Sequence, residues 1–303
     1  MDCKLMALKI ERKRELLTLL PESLPVTRQW LARQDTDFNR HAIDNLVKSR
    51  QLFPLAQGVY MRPGTTPTWE GLVCFLQNVL KTDLTVGGLT ALDLRGLGHY
   101  VAMSSKRVVH LYGKDTLPKW VNHVLPGIEF VRHTALVAFD GLDPGASGLV
   151  NDEYDTGLKK LYNGDSSPES RQAPAGQKSA WPFIRSSPER AYLEVLMDVP
   201  DAVSFEHADQ LMQGLTTLSP RRLENLLKKA QNVKVRRLFF WFAERHQYPW
   251  FKKLPDPYTL DELGLGAGNR SLVEGGKLDA KYKITVPEEM WTETTNTINK
   301  SSF

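Results

Sequence analysis

"LVKSRQLFPLAQGVYMR", Leu46 to Arg62, changes grammar in its middle. Its first residues close a run whose apolar side chains recur every three to four positions. Its last residues form two short aliphatic and aromatic stretches on either side of "AQG". In the upstream run "DTDFNRHAIDNLVKSRQ", Phe38, Ala42 and Leu46 stand four apart, and Ile43 and Val47 widen the stripe. That period is helical, so these five residues are expected to face a core. Arg40, His41, Asp44 and Lys48 fall on the opposite side. Thr36 or Asp37 is expected to cap the first turn by accepting from its free N–H groups. Downstream, Gly58 supplies the backbone freedom of a tight turn, and the segment around it reads as a β-hairpin.

Working outward, helical periodicity runs from Lys4 to Leu20 and stops at Pro21, which cannot continue a helix without losing a backbone donor. "VTRQWLARQ", Val26 to Gln34, is long enough for a second helix. Three helices and a hairpin within residues 1–63 make the pattern of a winged helix-turn-helix. There the middle helix props the third, the third enters the DNA major groove, and the hairpin lies along the flanking backbone. On this reading Thr27, Arg28, Gln29 and Arg33 position phosphates. Arg40, His41, Asn45 and Lys48 read or flank bases, and Gln57 and Arg62 reach phosphates or a minor-groove edge. A protein-contact module is the alternative for so small a bundle.

Charge supports the nucleic-acid reading. Residues 1–63 carry eleven Lys and Arg against seven Asp and Glu, which accounts for the whole formal charge of +4, while the rest of the chain is balanced. A cationic module on a neutral body suits a polyanion. No apolar run approaches the roughly 18 residues needed to span a bilayer. The N-terminus alternates charge and aliphatics, as a folded segment does and a cleaved leader does not. Cys3 and Cys74 make neither a disulfide framework nor a zinc signature, so the expected compartment is a reducing cytoplasm, with no membrane partner.

The fold class expected is α+β, in two parts: residues 1–63, and residues 64–303. Within the second part, residues 64–140 alternate helices ("WEGLVCFLQNVL", "LTALDLRGLG") with strands ("RVVHLYG", "IEFVRHT"), a small α/β region. Residues 141–186 are rich in Gly, Ser and Pro and read as a linker. Residues 187–303 read as mainly helical. Ser187 is the expected N-cap with Pro188 at the first helical position, and Tyr192, Val195, Leu196 and Val199 form an inward stripe. In "SPRRLENLLKKAQ" Leu223, Leu226, Leu227 and Ala230 face in. "VKVRRLFFWFAERH" is apolar round most of its circumference and is expected to be largely buried, and "KYKITVP" closes the region as a strand.

Catalytic constellations are absent from the pattern. His99, His110, His123 and His133 show no metal-ligand spacing and no neighbouring acid, and there is no H-E-x-x-H or G-x-S-x-G. No metal, cofactor or catalytic residue is expected. Gly87, Gly88, Gly96 and Gly98 lack the lysine and hydroxyl order of a phosphate loop. "GLGAGNR", Gly264 to Arg270, lacks them too; it reads as a structural turn, with anion binding as the other reading. The cluster Arg221, Arg222, Lys228, Lys229, Lys234, Arg236 and Arg237 spans two helices, and is a candidate second basic surface for nucleic acid, for a protein partner, or for solvation alone.

Long ordered blocks carry a resemblance. "LVKSRQLFPLAQGVYMRPG", "TWEGLVCFLQ" and "LTVGGLTALDLRGLGHYV" resemble the N-terminal part of AbiEi-type antitoxins. These are transcriptional regulators of the type IV toxin–antitoxin systems of phage abortive infection. "SSPERAYLEVLMDVP", "VKVRRLFFWFAERHQYPWF" and "LGLGAGNRSLVEGGKLDAKYKITVP" are similar to the same family's C-terminal domain. The resemblance implies a winged helix that binds inverted repeats in the promoter of its own operon. It also implies a C-terminal domain that counters a cognate nucleotidyltransferase toxin without a tight complex. A plain repressor without antitoxin role and a nucleic-acid-modifying enzyme are the rival readings.

Overall fold

The computed structural model describes residues 14, 20–21, 23–34, 39–97, 106–134, 183–259 and 264–291. Apart from residues 14 and 20, the helix expected at Lys4 to Leu20 lies outside the described residues, as do His99 and the linker up to residue 182. The described residues are α+β and fall into two compact units. One comprises residues up to Val86 with 106–132 and 183–184; the other comprises 87–97, 133–134 and 185–291.

The first unit opens with β1 (Val26–Thr27), α1 (Arg28–Gln34), α2 (Arg40–Lys48), β2 (Phe53–Ala56) and β3 (Val59–Met61). The second helix was expected to start at Val26, but Val26 and Thr27 are extended and pair antiparallel with Tyr60 and Val59. β3 is thereby the central strand of a sheet in the order β1-β3-β2. Two β-branched residues suit that strand. Thr27 Oγ1 then accepts from the Trp30 N–H at 3.1 Å, opening α1. At α2 the cap is Asn39, not Thr36 or Asp37. The helix begins at Arg40, and Asn39 Oδ1 accepts from the Ala42 N–H at 3.0 Å, three residues on.

Ile43 and Leu46 of α2 are buried against Leu20, Val26, Trp30, Leu31, Leu52 and Tyr60, with Val47 at the edge of the cluster. Each full burial of this kind contributes about 1.5–3 kcal/mol, which fixes which face of α2 points out. Gly58 turns the hairpin at φ +75°. A Cβ there would meet nothing, so glycine is required by backbone conformation and not by space.

The chain continues through α3 (Trp69–Asn78), β4 (Thr85–Val86), α4 (Gly88–Asp93), β5 (Arg107–Gly113), α5 (Val121–Val124) and β6 (Ile128–Thr134). β5 and β6 coincide with the strands expected from sequence and join β4 in the order β4-β5-β6. Cys74 and Phe75 of α3 share a buried cluster with Leu24 and Val59, so residues on both sides of Pro63 pack together.

The second unit holds α4 together with α6 (Pro188–Val195), α7 (Phe205–Gly214), α8 (Pro220–Lys229), α9 (Val233–His246) and a hairpin of β7 (Lys277–Asp279) and β8 (Ile284–Val286). Ser187 caps α6, its Oγ accepting from the Arg190 N–H, with Pro188 in the first turn. Tyr192, Val195, Leu196 and Val199 are buried, as are Leu223, Leu226, Leu227 and Ala230. From Val235 to Ala243 every residue of α9 is buried, and its aromatic rings meet edge-on, Phe205 against Trp241 and Tyr192 against Phe239. Inside this core the fully buried Glu194 carboxylate accepts from Arg190 Nε (2.8 Å), Ser186 Oγ (3.0 Å) and the Gly88 N–H (2.9 Å), tying the start of α4 to α6. The closing strand expected in "KYKITVP" is β8; its partner β7 was not anticipated.

Candidate nucleic-acid interface

With Ile43 and Leu46 turned inward, α2 presents Arg40, His41, Asn45 and Lys48, all exposed. Gln29 and Arg33 are exposed on α1. Gln57 is exposed in the hairpin turn, and Arg62 is half-buried just past β3. The two remaining candidates are engaged within the fold. Thr27 caps α1. Arg28 Nη2 donates to the Tyr60 hydroxyl at 2.8 Å and to Asp44 Oδ1 at 3.2 Å. The hydrogen bond to Tyr60, against some burial, and the charge of Asp44 raise the Arg28 pKa further above its already high value.

That clasp settles a conflict visible in the sequence. Asp44 stands among the cations of α2, where it would repel phosphate, but its charge is matched by Arg28. Both side chains are well exposed, 37% and 44%, and such an ion pair contributes at most about 1 kcal/mol. Its consequence is therefore positional. One guanidinium joins α1, α2 and the central strand that carries the hairpin.

The second basic cluster requires a correction. Arg236 and Arg237 have no exposed surface at all. Arg236 donates to the carbonyls of Ala230, Lys228 and Gly264. Arg237 donates to those of Leu265 (2.7 Å), Lys283 (2.9 Å) and Gly266 (3.2 Å). A guanidinium is tolerated in a core only where acceptors meet its planar set of donors, and here backbone carbonyls do so. Lys234 is half-buried and donates to the Met197 and Val199 carbonyls at 2.7 and 2.8 Å. Arg221, Arg222, Lys228 and Lys229 are exposed on α8, but Arg222 pairs with Glu189 at 3.1 Å and Lys228 with Glu224 at 2.6 Å. A continuous basic surface over α8 and α9 does not exist.

Of the histidines, His110 is half-buried and His123 exposed. His133 has an acidic neighbour that linear spacing did not show: its Nδ1 lies 3.6 Å from Asp198 Oδ2. Burial lowers the His133 pKa and raises that of Asp198, and each charge partly offsets the other's shift. Among the described residues no three His, Cys, Asp or Glu side chains are grouped to hold a metal ion, and no helix is long and apolar enough to cross a membrane.

Two family models match the sequence. The one described as "Transcriptional regulator, AbiEi antitoxin N-terminal domain" covers residues 10–103, and the one described as "Transcriptional regulator, AbiEi antitoxin, Type IV TA system" covers residues 159–287. The chain belongs to the AbiEi antitoxin family. AbiEi proteins are transcriptional regulators and antitoxins, so DNA and a toxin are the partners in general terms. No curated protein matches the sequence. Among solved structures the AbiEi chain is similar to the Rv2827c protein from Mycobacterium tuberculosis, at 15% identity and a TM-score of 0.46 over 86% of this chain and 85% of that one.

Proposed function

We propose that this AbiEi protein is the autorepressor and antitoxin of its own type IV operon. It binds inverted repeats in the operon's promoter through a winged helix formed by residues 1–63, and counters a nucleotidyltransferase toxin through residues 64–303, in a reducing cytoplasm and without enzymatic activity. The observation that carries the DNA-binding half is the exposed row Arg40, His41, Asn45 and Lys48 on a helix whose other face is pinned by Ile43 and Leu46, directly followed by a glycine-turned hairpin. A helix so held can lie in a major groove with the hairpin on the adjacent backbone.

Side chains on this surface divide by role. Arg40 and Asn45 on α2 are of the types that make bidentate contacts to guanine and adenine edges. Gln29 and Arg33 on α1, Gln57 in the hairpin turn and Arg62 just past β3 suit phosphates, which fix register but carry no sequence information. The test is fluorescence anisotropy of the full chain on its promoter repeats and on a scrambled duplex, at several salt concentrations. Arg40→Ala is expected to lose about 1–3 kcal/mol of discrimination. Arg62→Ala is expected to weaken both duplexes alike and to reduce the salt slope by about one. Equal effects of the two changes on operator preference, or no protected promoter in footprinting, would overturn the groove assignment. Co-expression with the adjacent reading frame, scored by growth, tests the antitoxin half.

A further inference from the structure

The turn "GLGAGNR" has a backbone unlike an ordinary loop. Gly264, Gly266 and Gly268 have φ of +47°, +68° and +74°, while Leu265 and Ala267 between them stay at negative φ. The carbonyls of Gly264, Leu265, Gly266 and Ala267 all turn to one side, the first onto Arg236 and the next three onto Arg237. In an extended strand successive carbonyls would alternate. Four on one side, with φ alternating in sign, is the conformation in which successive N–H groups line up opposite the carbonyls as an anion-binding nest.

The amides agree with this. Those of Gly266, Ala267, Gly268 and Asn269 make no hydrogen bond among the described residues. Residues 267–269 are exposed and Gly266 is half-buried, so the amides of Ala267, Gly268 and Asn269 are open to a ligand. Arg270 stands at the end of the row. Its N–H donates to the Lys283 carbonyl at 2.9 Å and its carbonyl accepts from the Thr285 N–H at 3.0 Å, so its backbone is anchored while its side chain is exposed. Behind the loop, the guanidinium of Arg237 polarises the peptide units that carry the Gly266, Ala267 and Gly268 amides, strengthening them as donors. Burial lowers the pKa of both Arg237 and Lys234, and the charge of Arg270 adds a smaller push in the same direction.

We propose that the amides of Gly266 to Asn269, with the Arg270 side chain, form a binding site for a phosphate group, free or carried on a nucleotide. A row of aligned N–H donors followed by an exposed arginine suits a tetrahedral oxyanion. The loop has no lysine or hydroxyl in phosphate-loop order, so the site binds and does not hydrolyse. It belongs to the second unit and is independent of the DNA-binding proposal for α2.

The test uses the full chain labelled with ¹⁵N-glycine, titrated with inorganic phosphate and separately with adenosine triphosphate, with chloride at matched ionic strength as the control. Saturable shifts of the Gly266 and Gly268 amides are expected with phosphate or the nucleotide, while Gly127 and Gly214, away from both proposed sites, stay still. Saturation at lower nucleotide concentration would assign the nucleotide; equal saturation would assign phosphate alone. Arg270→Gln, at an exposed position, should weaken binding about tenfold, the loss of one charge-assisted contact. The proposal is overturned if Gly266 and Gly268 show no saturable shift with either ligand, if chloride reproduces it, or if Arg270→Gln leaves it unchanged.

Discussion

Replacing Arg237 with methionine distinguishes a structural guanidinium from a surface one. Methionine keeps most of the aliphatic stem but removes every donor. The Leu265 carbonyl, in a residue 1% exposed, then stays buried and unsatisfied, at about 1–3 kcal/mol. The carbonyls of Lys283 and Gly266 belong to half-buried residues and can recruit water, so their lost bonds cost up to about 1 kcal/mol each. Relief from burying the charge offsets part of this, leaving an expected destabilisation of about 2–4 kcal/mol. The assay is native-state hydrogen exchange of the α9 amides, which reports the opening of this unit even if the two units unfold separately. Arg221→Met on the exposed side of α8 is the comparator and should stay within about 0.5 kcal/mol. Arg237→Lys should not rescue, because one ammonium cannot reproduce a planar fork spread over four carbonyls. If Arg237→Met were as mild as Arg221→Met, the inward reading of this residue would be wrong.

Two further perturbations test burial elsewhere. His133 is held below its ordinary pKa by burial, partly opposed by Asp198, and His207 by burial alone. Both are therefore kept neutral in the fold while the unfolded chain takes up protons near pH 6.5. Stability is full above that pH and falls as pH drops below it; urea denaturation from pH 7.5 to 5.5 should show the decline, and His133→Gln should flatten it, whereas an unchanged slope would refute the assignment. Burial pushes the Cys74 thiol up to about 12, so a thiol reagent at pH 8 should leave Cys74 unmodified in the native chain and label it in urea; rapid native labelling, read by peptide mass, would contradict that burial.

Elements whose identity rests on local chemistry were legible in the sequence. The strands Arg107–Gly113 and Ile128–Thr134, the Ser187–Pro188 helix start and the inward leucines of α8 follow from period, capping and β-branched content. What was hidden depends on pairing at a distance. Val26 and Thr27 read as the start of a helix because nothing nearby shows that Tyr60 and Val59 lie beside them. Asn39 takes the cap because the helix begins one residue later, at Arg40. Arg236 and Arg237 were misplaced for a subtler reason. The sequence shows a helix apolar all round, which forbids an exposed basic stripe, yet counting charges along the chain suggests one. The first signal was the stronger: a pair of arginines inside an all-round apolar helix points to acceptors elsewhere, and these are the carbonyls of a glycine-rich loop some thirty residues on.

The same lesson applies to Asp44. A carboxylate on the outward side of a helix proposed to enter a DNA groove would oppose binding if it stood alone. Here Arg28 meets it, and because the same Nη2 also donates to Tyr60 on the central strand, neutralisation and positioning are one contact. The hydrophobic seam of Ile43 and Leu46 sets which face of α2 is outward, but apolar packing is non-directional and does not by itself fix the helix against the hairpin. A guanidinium reaching both does. The positions of Arg40, Asn45 and Lys48 relative to Gln57 and Arg62 thus depend on a side chain that needs no contact with a ligand of its own.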